Sequence, residues 1–416
     1  VDAAALEAIL APCVGRETTL TELNAALARV TAYCRSHGYP ASAAYLPAQD
    51  SKDGKVTIKI IPGRYGEIKL ENHRLKDKVA LRLVSGLRPG SIIRSSQLET
   101  ALYSISDVSG TRAVGVLAPG KAFGTSDVTV RIEDGKPTNT VLYAENYGAK
   151  SSGRYRYGLQ HTLYDVGGTG ARLGLGTLIS NSHMHNYYVN YEMPVGRGGS
   201  TLGLGLSQMD YKLGGAMRDW GANGKADPVS LFGSYPFYHL HDAALKLNYG
   251  LDYRRLEDDI DKYQGCADSK KHAASAHVGI EGARQLPKTS LSYDATLTAG
   301  HLTLGSEFAR DRDEMAHTAG TYTKLSVDGT AVRSLGHPAD ELVKASGQMA
   351  SRNLDGSEQM YLGGANAVRA YPQGEGSGDV GLLGTAEGRL YTDVPGLVLS
   401  TYLDAGHVRL SHDGSD

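Results

Sequence analysis

Cysteine, tryptophan, phenylalanine and long apolar runs are all scarce in this chain of 416 residues, and each scarcity closes off a class of protein. Three cysteines are too few for a disulfide framework and show no zinc-ligand spacing. Cys13 and Cys34 could bridge in an oxidising compartment or each stay a buried thiol. The plainer reading is two free thiols, and Cys266 stands alone in a polar stretch. Lys plus Arg number 43 against 45 for Asp plus Glu, a formal net charge of −2, so no basic surplus is available to neutralise nucleic-acid phosphates. Mean hydropathy is −0.30, and no apolar run approaches the roughly 18 residues of a membrane-spanning helix. That excludes an α-helical membrane protein but leaves a membrane β-barrel open, because alternating strands barely register in hydropathy. The start, Val1-Asp2-Ala3-Ala4-Ala5, carries neither Met nor a charged and apolar leader, so the chain reads as mature or as a fragment.

Catalytic signatures are also missing. There is no G-x-S-x-G, no H-E-x-x-H and no convincing carboxylate pair. Gly115–Ala122 copies the start of a phosphate loop but lacks the Ser or Thr that would hold Mg²⁺, and a strand follows, so a hairpin turn explains it better. His183-Met184-His185 and His239-Leu240-His241 place pairs of imidazoles at strand spacing without a third ligand, which points to solvated histidines rather than a metal. Asp258-Asp259-Ile260-Asp261 and Arg310–Glu314 read as charged external loops. An enzyme has no residues to rest on, and neither a cofactor nor a metal is expected.

What the chain has instead is 25 Tyr and 52 Gly beside 4 Phe and 1 Trp. Tyr suits a surface where one end of the ring is apolar and the other wet. Residues 1–134 follow a helical then an alternating period, twice. Thr19-Leu20-Thr21-Glu22 is a capping box, followed by Leu23, Ala26, Leu27, Val30 and Cys34 at helical spacing. Strands over 42–46 and 55–61 come next. Ser96-Gln97-Leu98-Glu99 repeats the capping box, Leu98, Ala101, Leu102 and Ile105 repeat the stripe, and strands over 112–117 and 127–132 close the copy. From about Pro137 the helical period stops. Twelve strand-like segments then recur between Gly, Asn, Asp and Ser clusters, with Leu202, Leu204 and Leu206 alternating against Gly203, Gly205 and Ser207. Apolar-out, polar-in alternation is what a lipid-facing barrel requires, and a soluble sandwich or propeller would need more bulk to fill its core.

Two strings near the end carry a resemblance. Leu362–Tyr371, with Val368-Arg369-Ala370-Tyr371 at its close, and Tyr402-Leu403-Asp404-Ala405-Gly406 resemble the paired signatures of the outer-membrane translocon superfamily that includes BamA. There a V-R-G-[YF] loop tip folds into the lumen and its Arg meets the Asp of an [FG]-x-D-x-G wall strand. Val14-Gly15-Arg16, Val30–Tyr33, Gly38–Asp50 and Lys55–Gly66 look like the first periplasmic POTRA domain of two-partner secretion transporters, the exporters of haemolysins, filamentous haemagglutinins and contact-dependent inhibition toxins. The resemblance implies α+β periplasmic POTRA domains followed by an all-β transmembrane antiparallel barrel, of sixteen strands in the family. It would divide the chain into POTRA 1 over 1–65 without its first strand, POTRA 2 over 66–135, and a barrel over 136–416 that is incomplete at its C-terminus.

The implied function is an outer-membrane pore, in a Gram-negative bacterium, that secretes a large unfolded TpsA-type exoprotein without ATP. Its partners would be that exoprotein's N-terminal secretion domain and membrane lipid, with no nucleic acid, and the pore would act as a monomer. The implied site is an Arg369–Asp404 ion pair, a tip packed by Val368 and Tyr371, a loop base at Gly363 and Gly364, and a wall strand marked by Tyr402 and Gly406. Substrate docking falls on Tyr39, Tyr45, Leu98 and Leu102. Ala370 stands where the family has Gly, which would restrict the tip if that residue needs positive φ. A barrel-assembly insertase and a passive porin are the alternatives; two α+β units argue against the porin.

Overall fold

The computed structural model describes residues 2–50, 53–196, 198–263 and 267–413; Cys266 falls outside them. Helix α1 (Ala3–Leu10) leads into α2 (Leu20–Ser36), where Thr19 Oγ1 accepts from the Glu22 amide at 3.2 Å and Glu22 accepts from the Thr19 amide at 2.8 Å. This reciprocal cap satisfies two of the amides that a helix start leaves bare. One face of α2 buries Ala26, Leu27, Val30 and Cys34. Cys13 and Cys34 are free thiols. The helix packs on a short antiparallel pair, β1 (Ala43–Tyr45) with β2 (Lys59–Ile61). The second strand starts later than its sequence suggests. Gln49 accepts from the Thr57 amide at 2.6 Å and donates to the Thr57 carbonyl at 2.9 Å, so a side chain takes the ladder's place there.

The second unit comprises β3 (Arg64–Asn72), α3 (Asp77–Leu83), α4 (Ser95–Ser109), β4 (Ala113–Pro119) and β5 (Thr125–Ile132), with sheet order β3-β5-β4. Its core joins Tyr65, Leu83, Ile93, Ile105, Val128 and Ile132, all at most 2% exposed. The expected capping box at Ser96 does not form. The helix begins at Ser95 with Arg94 as an uncapped N-terminal residue, because Glu99 points away and accepts from the backbone and imidazole of His241 at 2.9 and 3.1 Å. Gly115–Ala122 is the β4 end and hairpin turn.

A sheet of thirteen strands, every neighbouring pair antiparallel, accounts for the rest. In chain order these are β6 (Thr138–Glu145), β7 (Arg156–Val166), β8 (Ala171–Ser180), β9 (His185–Pro194), β10 (Thr201–Lys212), β11 (Ala222–His239), β12 (Ala243–Ile260), β13 (Ser269–Gln285), β14 (Thr289–Leu304), β15 (Gly320–Gly336) and β16 (Ala339–Ala350). A small hairpin of β17 (Met360–Tyr361) and β18 (Ser377–Gly378) lies within the long connection that follows, and β19 (Val380–Tyr391) and β20 (Val398–Arg409) complete the sheet. Among the described residues β6 and β20 each have one neighbour in this sheet. Leu202, Leu204, Leu206, Val229, Leu231 and Leu251 are exposed on one face, while Asp252, Glu281, Asp294, Glu387 and Asp404 take the other. No helix among the described residues is long and apolar enough to cross a membrane.

Strand β11 is absent from the sequence pattern because Pro228 and Pro236 interrupt it, and proline cannot donate to a ladder. The structure accommodates both. The pairing with β10 skips between Val229 and Ala226, and a bulge between Pro236 and Tyr238 shifts the pairing with β12. The charged run at Arg310–Glu314 is not a loop but part of helix α5 (Glu307–Ala316), started by Ser306, whose Oγ accepts from the Ala309 amide at 3.3 Å.

Candidate functional site

The connection from β16 to β19, residues 351–379, folds back over the polar face of the sheet. Its tip closes on itself through the Leu362 amide to the Gly376 carbonyl at 2.7 Å, Gly363 to Glu375 at 2.8 Å and Val368 to Leu362 at 3.0 Å. These bonds present Arg369 to the wall. Its Nε and Nη2 donate to the two oxygens of Asp404, each at 2.8 Å, and its amide donates to Asp404 Oδ2 at 3.1 Å. The remaining Nη1 donates to Glu387 Oε2 at 2.8 Å, and Arg389 holds the other Glu387 oxygen at 2.8 Å. Thr385 Oγ1 donates to Asp404 Oδ1 at 2.9 Å. The guanidinium carbon lies 3.4 Å from the centroid of the Tyr402 ring. Two arginines and two carboxylates neutralise one another, and the Asp404 side chain is 4% exposed against 25% for Arg369. A forked, paired guanidinium is the arrangement in which burying charge is tolerable.

Thr385 faces Asp404 across the β19–β20 ladder, and Glu387 faces Tyr402. Sequence reasoning missed Thr385, Glu387 and Arg389, although their polar period of two along an otherwise apolar strand is the signal that marks them. Glycines here make room. A Cβ on Gly406 would sit 2.4 Å from Leu383 Cδ2 and 2.6 Å from Leu362 Cδ1, so its bareness admits Leu362 and the buried Val368. A Cβ on Gly363 would meet the Pro372 carbonyl at 2.5 Å, so this residue allows the tip to close on itself rather than to leave a strand. Gly364 has φ +139°. Ala370 does not: positive φ outside glycine occurs at Asp165, His183 and His317, so its methyl costs the tip no strain. Tyr371 is half exposed, with its Cβ beside Gly363.

The docking residues inferred from sequence separate. Leu98 is 7% exposed and belongs to the core of the second unit, where Leu102 packs beside Gly115, so neither offers a docking surface. Tyr39 is half-buried in the turn after α2. Tyr45 flanks an open groove between α2 and β1, a cavity of about 980 Å³ also lined by Leu20, Leu27, Ala28, Thr31 and Leu46. Its ring meets Phe123 edge-on at 5.8 Å, and Phe123 is 82% exposed, an exposed aromatic that the sequence pattern did not single out.

Helices α3 and α4 seat on three turns of the sheet. Arg74 donates to the Tyr164 carbonyl at 3.3 Å, Arg82 to Pro194 at 3.1 Å, and Thr100 accepts from the His239 amide at 2.9 Å. His239 stacks on Tyr103 at 4.1 Å and His241 pairs with Glu99, so neither waits for a metal. His183 lies in a turn at φ +60° and does not share a strand face with His185. No cluster among the described residues could hold a metal ion. The hydrogen bond and charge of Glu99, joined by Asp242, raise the pKa of His241 above its ordinary value. Beneath α4 a cavity of about 680 Å³ opens against the polar face, lined by Asp107, Arg172, Glu192, Lys246, Glu281 and Asp294.

An antiparallel sheet with an apolar outer face and a charged inner one, an ion-paired loop on the inner face and α+β units seated at one end define an outer-membrane POTRA–β-barrel protein. Residues 1–63 match the ShlB-type POTRA domain, and residues 124–416 match the haemolysin secretion/activation protein family ShlB/FhaC/HecB, so the chain belongs to that family. It is 27% identical over 411 residues to the heme/hemopexin transporter protein HuxB of Haemophilus influenzae, covering 96% of this chain and 72% of the relative. With the outer membrane transporter CdiB of Dickeya dadantii it shares 24% identity over 382 residues, 90% of this chain and 67% of that one. The solved structure of CdiB from Escherichia coli has the same fold, with a TM-score of 0.79 at 22% identity over all of this chain and 78% of that one. The chain is an outer-membrane transporter of two-partner secretion, its POTRA domains on the periplasmic side. The turns that meet α3 and α4 are therefore periplasmic, and α5 and the root of the 351–379 connection lie at the outer end.

Proposed function

We propose that the protein exports one large adhesin, haemolysin or contact-dependent inhibition toxin, unfolded, through the lumen of a barrel formed by a single copy. It makes and breaks no covalent bond. Residues 1–65 and 66–135 act as two POTRA domains and residues 136–416 supply the barrel. The exoprotein's secretion domain lies along the groove between α2 and β1, where an extended segment can add to the exposed edge and set alternate side chains among Leu27, Thr31, Tyr45 and Leu46. The chain then passes beneath α4 through the polar cavity, whose acids and bases hold an extended polypeptide without gripping it. Folding outside withdraws the chain and makes transit one-way.

The observation that carries this reading is the lumen loop held by Arg369 on Asp404 and Glu387, a reversible closure inside the pore. A static strut would need no charged latch in a solvated channel. The test is to express the full-length protein with the large exoprotein encoded beside it and to measure that exoprotein in the medium. Export that depends on this protein is expected. A correctly inserted protein that releases no exoprotein while other outer-membrane proteins fail to assemble in its absence would replace the reading with an insertase.

A further inference from the structure

The root of the lumen loop is held as well as its tip, by a different part of the wall. Glu358 is 8% exposed. Its Oε1 accepts from Tyr322 at 2.7 Å and from Arg254, and its Oε2 accepts from Lys324 at 2.5 Å. Its carbonyl accepts from Lys324 at 3.2 Å and from Gln348 at 3.1 Å. Three residues earlier, Asp355 accepts from Lys271 at 2.5 Å. Arg254, Lys271 and Lys324 stand on β12, β13 and β15 in the middle of the sheet order, whereas Asp404 and Glu387 stand on β20 and β19 at one end of it. The loop is thus a strap from the mid-sheet strands across β16 to the end pair. Nothing in the family signature strings includes this root, and the tip pair does not explain it.

The two attachments differ in number and reach, not in wetness: the root carboxylate Glu358 is 8% exposed and the wall carboxylate Asp404 is 4% exposed. The root engages three wall cations close behind the end of β16, Arg254 and Lys324 on Glu358 and Lys271 on Asp355, whereas the tip lies farther along the connection and hangs on Arg369 alone. The tip has fewer bonds to break and more chain to move on, so it lets go first and the root remains. The root also reaches the outer surface: Asn353 donates to the Ala316 carbonyl at 2.8 Å and Arg352 to the His317 carbonyl at 3.0 Å, capping the C-terminal end of α5.

We propose that Glu358 is a positioning residue for gating: it fixes the pivot about which the Arg369 tip swings, and it returns the tip to Asp404 after each release. Without it the loop drifts and the pore fails to reclose. The inference rests on the transporter reading for its export arm alone. Full-length protein is purified from outer membranes, and single-channel conductance in planar bilayers is compared for wild type, Glu358→Gln, Arg369→Ala and the double variant. Glu358→Gln is expected to lengthen open dwell times by about tenfold or more, the scale set by leaving buried cations without their partner. The double variant is expected to stay open beyond the product of the two single effects, because both ends restrain one loop. Exchange of the charges in Glu358→Lys with Lys324→Glu should restore part of the reclosing lost in Glu358→Lys alone, and only part because Arg254 then faces a lysine, which keeps the proposal testable where the Gln variant inserts poorly.

Wild-type dwell times in Glu358→Gln at wild-type insertion would overturn the pivot. So would a charge-exchanged pair that inserts at the wild-type level yet keeps the long open dwell times of Glu358→Lys alone, which marks a role other than the ion contact. Altered gating in a protein that exports nothing would leave the pivot standing and sink the export reading instead.

Discussion

At the scale of residues, the lumen site works because Arg369 serves two carboxylates at once. Arg369→Lys should not replace it, since an ammonium is a point charge that cannot fork across Asp404 while reaching Glu387. Arg369→Ala leaves Asp404 uncompensated and Glu387 with Arg389 alone. Breaking a fully buried pair costs about 3–5 kcal/mol, and the partial exposure of Arg369 reduces that to roughly 1–3 kcal/mol here. The expected result is faster cleavage of residues 362–376 by external protease, with export reduced and the amount in the outer membrane unchanged. Arg369→Asp with Asp404→Arg should recover part of the export lost by either change, and only part, because the acid at the tip no longer serves Glu387, which keeps Arg389 alone. Gly406→Ala is a second probe of the same contact. Its methyl would sit within 2.6 Å of Leu383 and Leu362, so the loop should be displaced at a cost of about 1–3 kcal/mol, read as the same protease sensitivity with every charge intact.

At the scale of elements, the joint between α4 and the β11–β12 turn is built on His241 and Glu99, and it carries a pH dependence of known sign. The folded pKa of His241 is raised, so its contribution is fully present below the ordinary histidine value and fades as pH climbs through the raised one. Protection of the first turn of α4, with hydrogen exchange corrected for its intrinsic pH dependence, should fall as pH climbs past the ordinary histidine value, and His241→Gln should flatten that change. A slope that survives the substitution would assign the effect to another group.

The same joint shows why some elements were legible in the sequence and others were not. Thr19–Glu22 declared its helix because its cap is local. Ser96–Glu99 has the same pattern but lost its cap to a histidine 142 residues away, which no local rule sees. Strand β11 was hidden by Pro228 and Pro236, whose missing donors are absorbed by a skipped pair and a bulge that only the neighbouring strands reveal. The V-R-x-Y and D-x-G strings named Arg369 and Asp404 directly. Glu358, Glu387 and the wall cations stayed unseen, because they meet across strands far apart in sequence.

At the scale of the whole molecule, the path from the first unit to the lumen is continuous in chemistry: an apolar groove with an aromatic rim, then a polar cavity, then a charged latch. Recognition belongs at the first station. Tyr45→Ser with Phe123→Ser should weaken binding of the purified secretion domain to the detergent-solubilised transporter by about tenfold, the share that one or two aromatic anchors hold in such contacts, while single-channel gating stays as in wild type. Unchanged affinity would move recognition to another face of the periplasmic units.

The cap that Arg352 and Asn353 place on the end of α5 has a consequence outside the cell. A helix on the bacterial surface shares hydrogen bonds with the residues from which the lumen loop hangs. An antibody fragment gripping α5 would therefore immobilise machinery it cannot reach, and the exporter could be jammed from the medium without any molecule crossing the membrane.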